Sequence, residues 1–213
     1  MSTFFKANRK CAICGKEHTF TVVGSTNAMG YMDLDTRPPE MKRSTLPYEI
    51  QLCDDCFYAN YDIEEKIPEF DKKILNASNY LAVAKDESIN KTARAFILAA
   101  YTYQVVGSVL KAGIYYLNAS WIFDDIKDEA RAVRTRVRAL KLLSEHVEKT
   151  ADVNIAVLTV DLQRRIGDFD GAVETAEQLI EYGVEEFLEK ILRLQIKLCY
   201  DNDKSFHNVG EVE

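Results

Sequence analysis

The sequence predicts a mainly α-helical protein that carries a small β module at its N-terminus. From residue 67 to residue 200, apolar residues recur at helical spacing, and no proline follows Pro68. The first 60 residues instead hold two cysteine pairs, short alternating apolar runs, and a stretch that contains Gly30, Pro38 and Pro39. We therefore expect three parts: a β module at 1–63, a helical domain at 64–201, and a polar, frayed tail at 202–213.

Seven helices are expected in the helical domain, because chain breakers are scarce there and the apolar residues follow a helical period. The predicted helices span 68–84, 90–106, 109–124, 126–149, 152–166, 169–182 and 184–200. The helix at 126–149 is amphipathic, with Val133, Val137 and Leu140 on one face and a basic stripe on another. The basic stripe consists of Arg131, Arg134, Arg138 and Lys141.

This basic stripe has two interpretations. One is a surface that binds an acidic peptide or a chain terminus of a partner protein. The other is a solvated helix face whose charges pair with acidic residues of a nearby helix, namely Glu174, Glu177 and Glu181. Solvated faces are the commoner arrangement, so partner binding by the stripe is a hypothesis at this point.

Two segments of the helical domain match the spacing of the tetratricopeptide repeat (TPR), a pair of antiparallel helices that recurs about every 34 residues. The first segment comprises Phe96, Ala100, Tyr103, Gly107, Ala112, Tyr116 and Ala119. The second comprises the turn from Gly167 to Ala172 and the following Ala176. Because Ala112 and Ala172 lie 60 residues apart, the sequence predicts a TPR-like antiparallel stack and not a regular array. Generic packing of a helical bundle is the alternative.

Four cysteines form two C-x₂-C pairs, a spacing that lets two thiolates bind one tetrahedral ion. Strands are predicted beside both pairs, at Thr19–Val23 and Tyr48–Leu52, as in a zinc ribbon, and the segment at 25–46 is expected to be irregular. Four thiolates leave no open coordination position, so catalysis at the metal is not expected. We predict one structural Zn²⁺ ion bound by Cys11, Cys14, Cys53 and Cys56.

Other candidate residues carry weaker signals. His18 follows Cys14 by four residues and is an alternative metal ligand, although a surface histidine on the first strand is the favoured interpretation. Cys199, alone in a leucine-rich helix, is interpreted as a small buried apolar residue. The sequence contains no phosphate-binding glycine loop and no HExxH or GxSxG motif. The chain is therefore not expected to be an enzyme.

The charge balance limits the classes of partner. The formal net charge is −7 and the pI is about 5.2, whereas proteins that neutralise nucleic-acid phosphates are basic. Residues 1–63 hold seven Lys or Arg against eight Asp or Glu, so the β module has no basic footprint either. No segment reaches the roughly 18 apolar residues of a membrane span, and no signal peptide is recognised. We expect a cytoplasmic protein, in which reducing conditions favour metal binding over disulfides.

The order of these features resembles a bacterial family, the domain-of-unknown-function 2225 family. The most specific part of the resemblance is the segment Cys53-Asp-Asp-Cys56-Phe-Tyr-Ala59, which precedes the TPR-like helices. The sequence departs from the family pattern where Ala12 and Asp54 replace proline and Phe57 replaces glycine. The resemblance covers nearly the whole chain and implies a zinc-ribbon head on a TPR-like body in a bacterial cytosol, without an established activity.

The leading functional hypothesis is a protein-interaction adaptor, because stacked helix pairs expose a groove for an unknown protein or peptide partner. Two C-x₂-C pairs also describe a rubredoxin-like iron site, so electron transfer is an alternative. Nucleic-acid binding by the zinc ribbon is another alternative, which the acidic composition disfavours. The sequence carries no signal for the identity of the partner or for the oligomeric state.

Overall fold

The structure, a computed structural model, describes residues 2–212, and this range contains eight α-helices and four β-strands. In chain order the elements are β1 (Thr3–Lys10), β2 (Glu17–Ser25), α1 (Glu40–Arg43), β3 (Gln51–Leu52), β4 (Ala59–Asn60), α2 (Ser78–Ala84), α3 (Lys91–Val105), α4 (Val109–Asp125), α5 (Glu129–Thr150), α6 (Val153–Ile166), α7 (Phe169–Tyr182) and α8 (Glu186–Tyr200). Turns of 3₁₀ helix lie at Leu46–Tyr48, Lys72–Asn76 and Val209–Val212. The prediction of a mainly α protein with a small N-terminal β sheet is confirmed.

The ends of the long helices are fixed by local side-chain and backbone chemistry. Four helices begin at a residue whose side chain accepts a hydrogen bond from a backbone N–H of the first turn. These N-cap residues of α3, α5, α6 and α7 are Asn90, Asp128, Asp152 and Asp168. Helices α6 and α7 end at Gly167 and Gly183, whose φ angles of 90° and 91° are left-handed. Six of the seven predicted helices are confirmed.

The predicted helix at 68–84 is wrong in its first half. The α-helix of this region, α2, begins only at Ser78, and a 3₁₀ turn precedes it. The side chain of Asp71 accepts a hydrogen bond from the N–H of Lys73, and Ala77 is extended with a ψ of 137°, so the chain breaks between the two elements. Capping of this kind competes with helix formation. It does not change the spacing of the apolar residues, so the periodicity could not predict the break.

The strand predictions have mixed outcomes. The strand expected at Thr19–Val23 lies within β2, which pairs antiparallel with β1. The strand expected at Tyr48–Leu52 is wrong in its first part, because a 3₁₀ turn containing Pro47 occupies Leu46–Tyr48. Only Gln51 and Leu52 form a strand there, and they pair with β4.

Helices α3 to α8 pack against their neighbours in chain order. Their connections are short, so adjacent helices run antiparallel. Helices α4 and α5 approach each other closely at Gly113, where a Cβ atom would lie 2.7 Å from Cδ2 of Leu143. The absence of a side chain at this position therefore determines how near the two helices lie.

Two apolar clusters form the core. The larger cluster joins the cysteine-containing N-terminal region to helices α2 to α6, and it includes the fully buried residues Cys53, Tyr58 and Phe96. The smaller cluster lies among α6, α7 and α8 and includes Leu34 from the N-terminal region. The cysteine region is fastened further by the hydroxyl of Tyr80, which donates a hydrogen bond to the carbonyl oxygen of Phe57 at 2.7 Å. The division at 63/64 stays a prediction.

The segment at 25–46 has little regular structure apart from α1, but part of it is buried against the helices. We call residues 33–37 the insert strap. Oδ2 of Asp35, 1% exposed, accepts hydrogen bonds from Nε1 of Trp121 at 2.7 Å and from Nη1 of Arg165 at 2.8 Å. Nη2 of Arg37 donates to both oxygens of Asp125, at 2.7 and 2.6 Å. Charged groups thus hold the insert strap on α4 and α6.

A frayed C-terminal tail is predicted, and this prediction is wrong. The guanidinium of Arg164 is fully buried, and its Nη1 donates hydrogen bonds to the carbonyl oxygens of Asp203 at 2.6 Å and Ser205 at 2.9 Å. The N–H of Leu34 in turn donates to the carbonyl oxygen of His207 at 2.8 Å. A buried guanidinium needs acceptors, and tail carbonyls supply them, which fixes the tail in place.

Candidate metal centre

The two cysteine pairs lie in two turns with the same backbone hydrogen bonds. In the first turn, which joins β1 to β2, the N–H of Gly15 donates to the carbonyl oxygen of Cys11 at 2.9 Å. In the second, which joins β3 to β4, the N–H of Phe57 donates to the carbonyl oxygen of Cys53 at 2.9 Å. Gly15 and Phe57 both have left-handed φ angles, 74° and 62°. Phe57 therefore adopts the conformation that glycine favours at the equivalent position.

The two turns bring the four cysteines together. Sγ of Cys11 lies 3.7 Å from Sγ of Cys56, and Sγ of Cys14 lies 3.6 Å from Sγ of Cys53. All four sulfurs lie within 4.8 Å of one another. A tetrahedral Zn²⁺ ion with Zn–S bonds of about 2.3 Å needs sulfurs about 3.8 Å apart, so the cluster is compatible with a metal site. A disulfide needs about 2.05 Å, and all five cysteines are free.

The surroundings of the sulfurs differ from one cysteine to the next. Burial raises the pKa of Cys53 to about 11, although the N–H groups of Asp55 and Cys56 hydrogen-bond to it, and burial also raises the pKa of Cys56. Burial acts in the same direction on Cys14, but the N–H of Lys16 and the neighbouring thiols outweigh it and leave its pKa below the ordinary value. A metal ion must displace protons from Cys53 and Cys56, so its affinity rises with pH.

His18 lies beside this cluster on β2, where it is half-buried and not a freely exposed surface residue. Its side chain is 17% exposed, and Nε2 lies 3.3 Å from Sγ of Cys53 and 3.2 Å from Oδ2 of Asp55. The sequence also gave no reason to single out Asp55, apart from its place inside the second C-x₂-C pair. The antiparallel pairing of β1 with β2 brings His18 to the second cysteine turn, although 35 residues separate it from Cys53.

The four residues of the basic stripe on α5 have different surroundings in the structure. Arg131 is engaged, since it pairs with Asp128 at 2.7 Å and donates to Oγ of Ser88. Arg134 is exposed, and its Nε donates to the carbonyl oxygen of Ala130. Within residues 2–212 no ion pair joins the stripe to the carboxylates of α7 that were considered as partners, namely Glu174, Glu177 and Glu181.

Arg138 and Lys141 instead line a groove of about 360 Å³ between α2, α3 and α5, with Tyr116 of α4 at its base. The guanidinium of Arg138 lies 5.6 Å from the centre of the Tyr116 ring. Asn79, Tyr101 and Gln104 complete its polar lining. Neither Arg138 nor Lys141 forms an ion pair with any carboxylate in the part of the chain that the structure describes.

The fold and the site define a class: a mainly helical protein with a small N-terminal sheet and a cluster of four cysteines that is compatible with a metal ion. A family described as "uncharacterized protein conserved in bacteria" (DUF2225) matches residues 4–202, and the chain belongs to this family. No curated protein and no solved structure matches the chain. Within residues 2–212, no helix is long and apolar enough to cross a membrane.

Proposed function

We propose that this chain is a non-catalytic, cytosolic adaptor in which a structural Zn²⁺ ion stabilises the N-terminal region and a TPR-like helical groove binds an acidic segment of a partner protein. The groove with its two unpaired cations is the observation that carries the proposal. Its walls are α3 and α5, and α4 lies behind them, which is the arrangement that antiparallel helix pairs give to a concave surface.

The chemistry of the groove favours an anionic, extended ligand. Arg138 is held against the Tyr116 ring, so less conformational entropy is lost when it pairs with a carboxylate. Lys141 lies one helical turn further along the same face of α5. The hydroxyl of Tyr101 donates to Oδ1 of Asn79 at 2.9 Å, which leaves the amide N–H₂ of Asn79 as a donor for a peptide backbone. The two cations attract the acidic peptide, and the amide group of Asn79 positions the peptide backbone along the groove.

A peptide-binding experiment tests the groove. Fluorescent peptides of random sequence, with and without a central run of Asp and Glu, are titrated with the full chain at low and at physiological salt. We expect the acidic peptides to bind and their affinity to fall as salt is raised, because part of the binding is electrostatic. Arg138→Glu and Lys141→Glu are each expected to weaken binding about tenfold or more, since each replaces attraction by repulsion.

Lys197→Glu is the matched control, because Lys197 is an exposed lysine on a different helix, α8, with no ion pair in the part of the chain that the structure describes. It removes the same charge from the protein and is expected to leave peptide affinity unchanged. Equal loss in Lys141→Glu and Lys197→Glu would mean that only net charge matters. No binding of any acidic peptide would reject the groove as the functional surface.

The metal part of the proposal is tested by elemental analysis of the purified chain. One equivalent of zinc is expected at the four-cysteine cluster, and it is expected to be lost from the Cys53→Ser/Cys56→Ser double variant. Iron instead of zinc would favour the rubredoxin-like alternative, because both ions accept four thiolates in a tetrahedron.

A further inference from the structure

A second group of potential metal ligands adjoins the four-cysteine cluster and shares one sulfur with it. It consists of His18, Cys53 and Asp55, whose ligand atoms all lie within 4.8 Å of one another. Nε2 of His18 lies 3.3 Å from Sγ of Cys53 and 3.2 Å from Oδ2 of Asp55. Ligands of one Zn²⁺ ion lie about 3.3 to 3.6 Å apart when the Zn–N bond is about 2.0 Å and the Zn–S bond about 2.3 Å. The observed nitrogen–sulfur and nitrogen–oxygen distances lie within about 0.2 Å of the values of about 3.5 and 3.3 Å that a tetrahedron gives.

One ring nitrogen serves two neighbours in this group. A single nitrogen, Nε2, faces both the sulfur and the carboxylate, and it carries one proton at most. A cation at the point where the three atoms converge satisfies all of them at once.

The local structure leaves these atoms available to an ion. Oδ1 of Asp55 is engaged by the ammonium group of Lys16, which leaves Oδ2 facing His18. The side chains of His18 and Asp55 are 17% and 33% exposed, whereas Cys53 is fully buried. The group therefore opens to solvent on the side of the histidine and the carboxylate, where water or a partner's ligand atom can complete the coordination.

We propose that His18, Cys53 and Asp55 bind a second divalent cation of the Zn²⁺ class, and that the thiolate of Cys53 bridges it to the ion of the four-cysteine cluster. The mixed nitrogen, sulfur and oxygen donor set suits Zn²⁺ rather than the hard ions Mg²⁺ and Ca²⁺. Unlike the first site, this one has three protein ligands and an open position. The inference rests on the proposed zinc site because it shares Cys53 with it.

The test is a metal titration of the full chain with Co²⁺ and then Zn²⁺, read by visible absorption and by elemental analysis after gel filtration. The parent is expected to bind two equivalents, the second more weakly. His18→Ala and Asp55→Ala are each expected to keep the first equivalent and lose the second. His146→Ala is the matched control, because His146 also faces a carboxylate, Asp152 at 3.5 Å, but no sulfur. It is expected to bind two equivalents.

The outcomes separate this inference from the proposed function. A parent with one equivalent that is unchanged in His18→Ala keeps the four-cysteine site and overturns the second site. A second outcome is a parent that binds one equivalent of metal, which His18→Ala loses and Cys14→Ser keeps. This result overturns the bridged pair of ions, and it also rejects the four-cysteine site. Loss of only the second equivalent in both His18→Ala and Asp55→Ala supports the inference.

Discussion

The two cysteine turns and the insert strap are both irregular segments packed on the same helical stack, but different chemistry holds them. The cysteine turns are joined to the stack by apolar contacts, with Cys53 and Tyr58 fully buried in the larger cluster. The insert strap contributes Leu34 to the smaller apolar cluster, but it is distinguished by a buried charge, Asp35, which is bonded to Trp121 and Arg165. Apolar contacts lose stability gradually when atoms are removed, whereas a buried charge that loses its partner is costly. Substitutions in the two regions should therefore destabilise the protein in different ways.

The largest expected effect is on the cysteine turns. If the four-cysteine cluster holds zinc as proposed, Cys53→Ser/Cys56→Ser, or chelation of the parent, removes a metal contribution that is about 10 kcal/mol or more in small zinc domains. We expect hydrogen-exchange protection to be lost in β1 and β2 and kept in α7 and α8, which belong to the separate smaller cluster. Cys199→Ala is the control, because this buried cysteine of α8 lies outside the metal cluster. If protection of β1 and β2 is unchanged in the double variant, the cysteine turns do not depend on a metal ion for their stability.

The next effect concerns the insert strap. Arg165→Ala is expected to destabilise the protein by about 3 to 5 kcal/mol, because it leaves the buried carboxylate of Asp35 without a cation. Asp35→Ala is expected to cost less, because Arg165 keeps its ion pair with Asp124 at 3.0 Å. The double variant is expected to lose less than the sum of the two, and urea unfolding of all four proteins measures this coupling. The exposed pair Arg9 and Glu64 provides the control cycle, with an N···O distance of 2.7 Å and much weaker coupling expected. Additive effects at Asp35 and Arg165 would mean that charge pairing does not hold the strap.

A smaller effect distinguishes the two cysteine turns from each other. Phe57→Ala and Phe57→Gly both remove the aromatic ring, but only glycine adopts a φ of 62° without strain. The glycine variant is expected to be more stable than the alanine variant by about 1 kcal/mol. Gly15→Ala in the first turn is expected to lose a similar amount. Thermal melts in excess Zn²⁺ measure both, and equal stabilities of the two Phe57 variants would contradict a strained turn.

The smallest effect is a pH dependence in the tail that contacts the strap. Hydrogen bonds from the hydroxyl and N–H of Ser205, with the nearby His207, lower the pKa of Asp203 to about 2. Because the folded pKa lies below the unfolded value of about 3.9, the stabilisation is present above pH 4 and is lost as the pH falls towards 2. Asp203→Asn should flatten this part of the stability curve, and Asp201→Asn, an exposed neighbour, should not. Identical curves for both variants would refute the assignment.

The sequence predicted those features that depend on residues close together in the chain. A C-x₂-C turn brings two sulfurs together without help from the rest of the chain, so the four cysteines could be identified from spacing alone. Helices α5, α7 and α8 were predictable because each displays its buried face as a period in the sequence. Helices α3, α4 and α6 are buried on most sides, over residues 95–100, 119–123 and 156–162, and the scarcity of chain breakers predicted them. The ends of α5, α6 and α7 also follow from residues that can be read directly, such as Asp128, Asp152 and Gly167.

The missed features depend on residues that are far apart in the chain. Arg165 lies near the end of the helix predicted at 152–166, and an arginine normally faces water, whereas its partner Asp35 is 130 residues away. The position of His18 depends on a strand register that carries it to the second cysteine turn. In the basic stripe, periodicity placed Arg131 and Arg138 together, but it could not foresee that Asp128 engages one and that an aromatic ring supports the other.

The pairing of the insert strap with the tail has a consequence for biosynthesis. Asp33 forms a β-bridge with Asn208, so the strap pairs with a segment that is synthesised much later than itself. On a translating ribosome the cysteine turns can form, and α3 to α5 can pack, long before the strap has its final neighbours. Closing so long a loop is slow compared with local helix formation, so docking of the strap should be the last folding step. Until the segment around Asn208 has left the ribosome, Asp33, Leu34 and their neighbours remain accessible to chaperones and proteases.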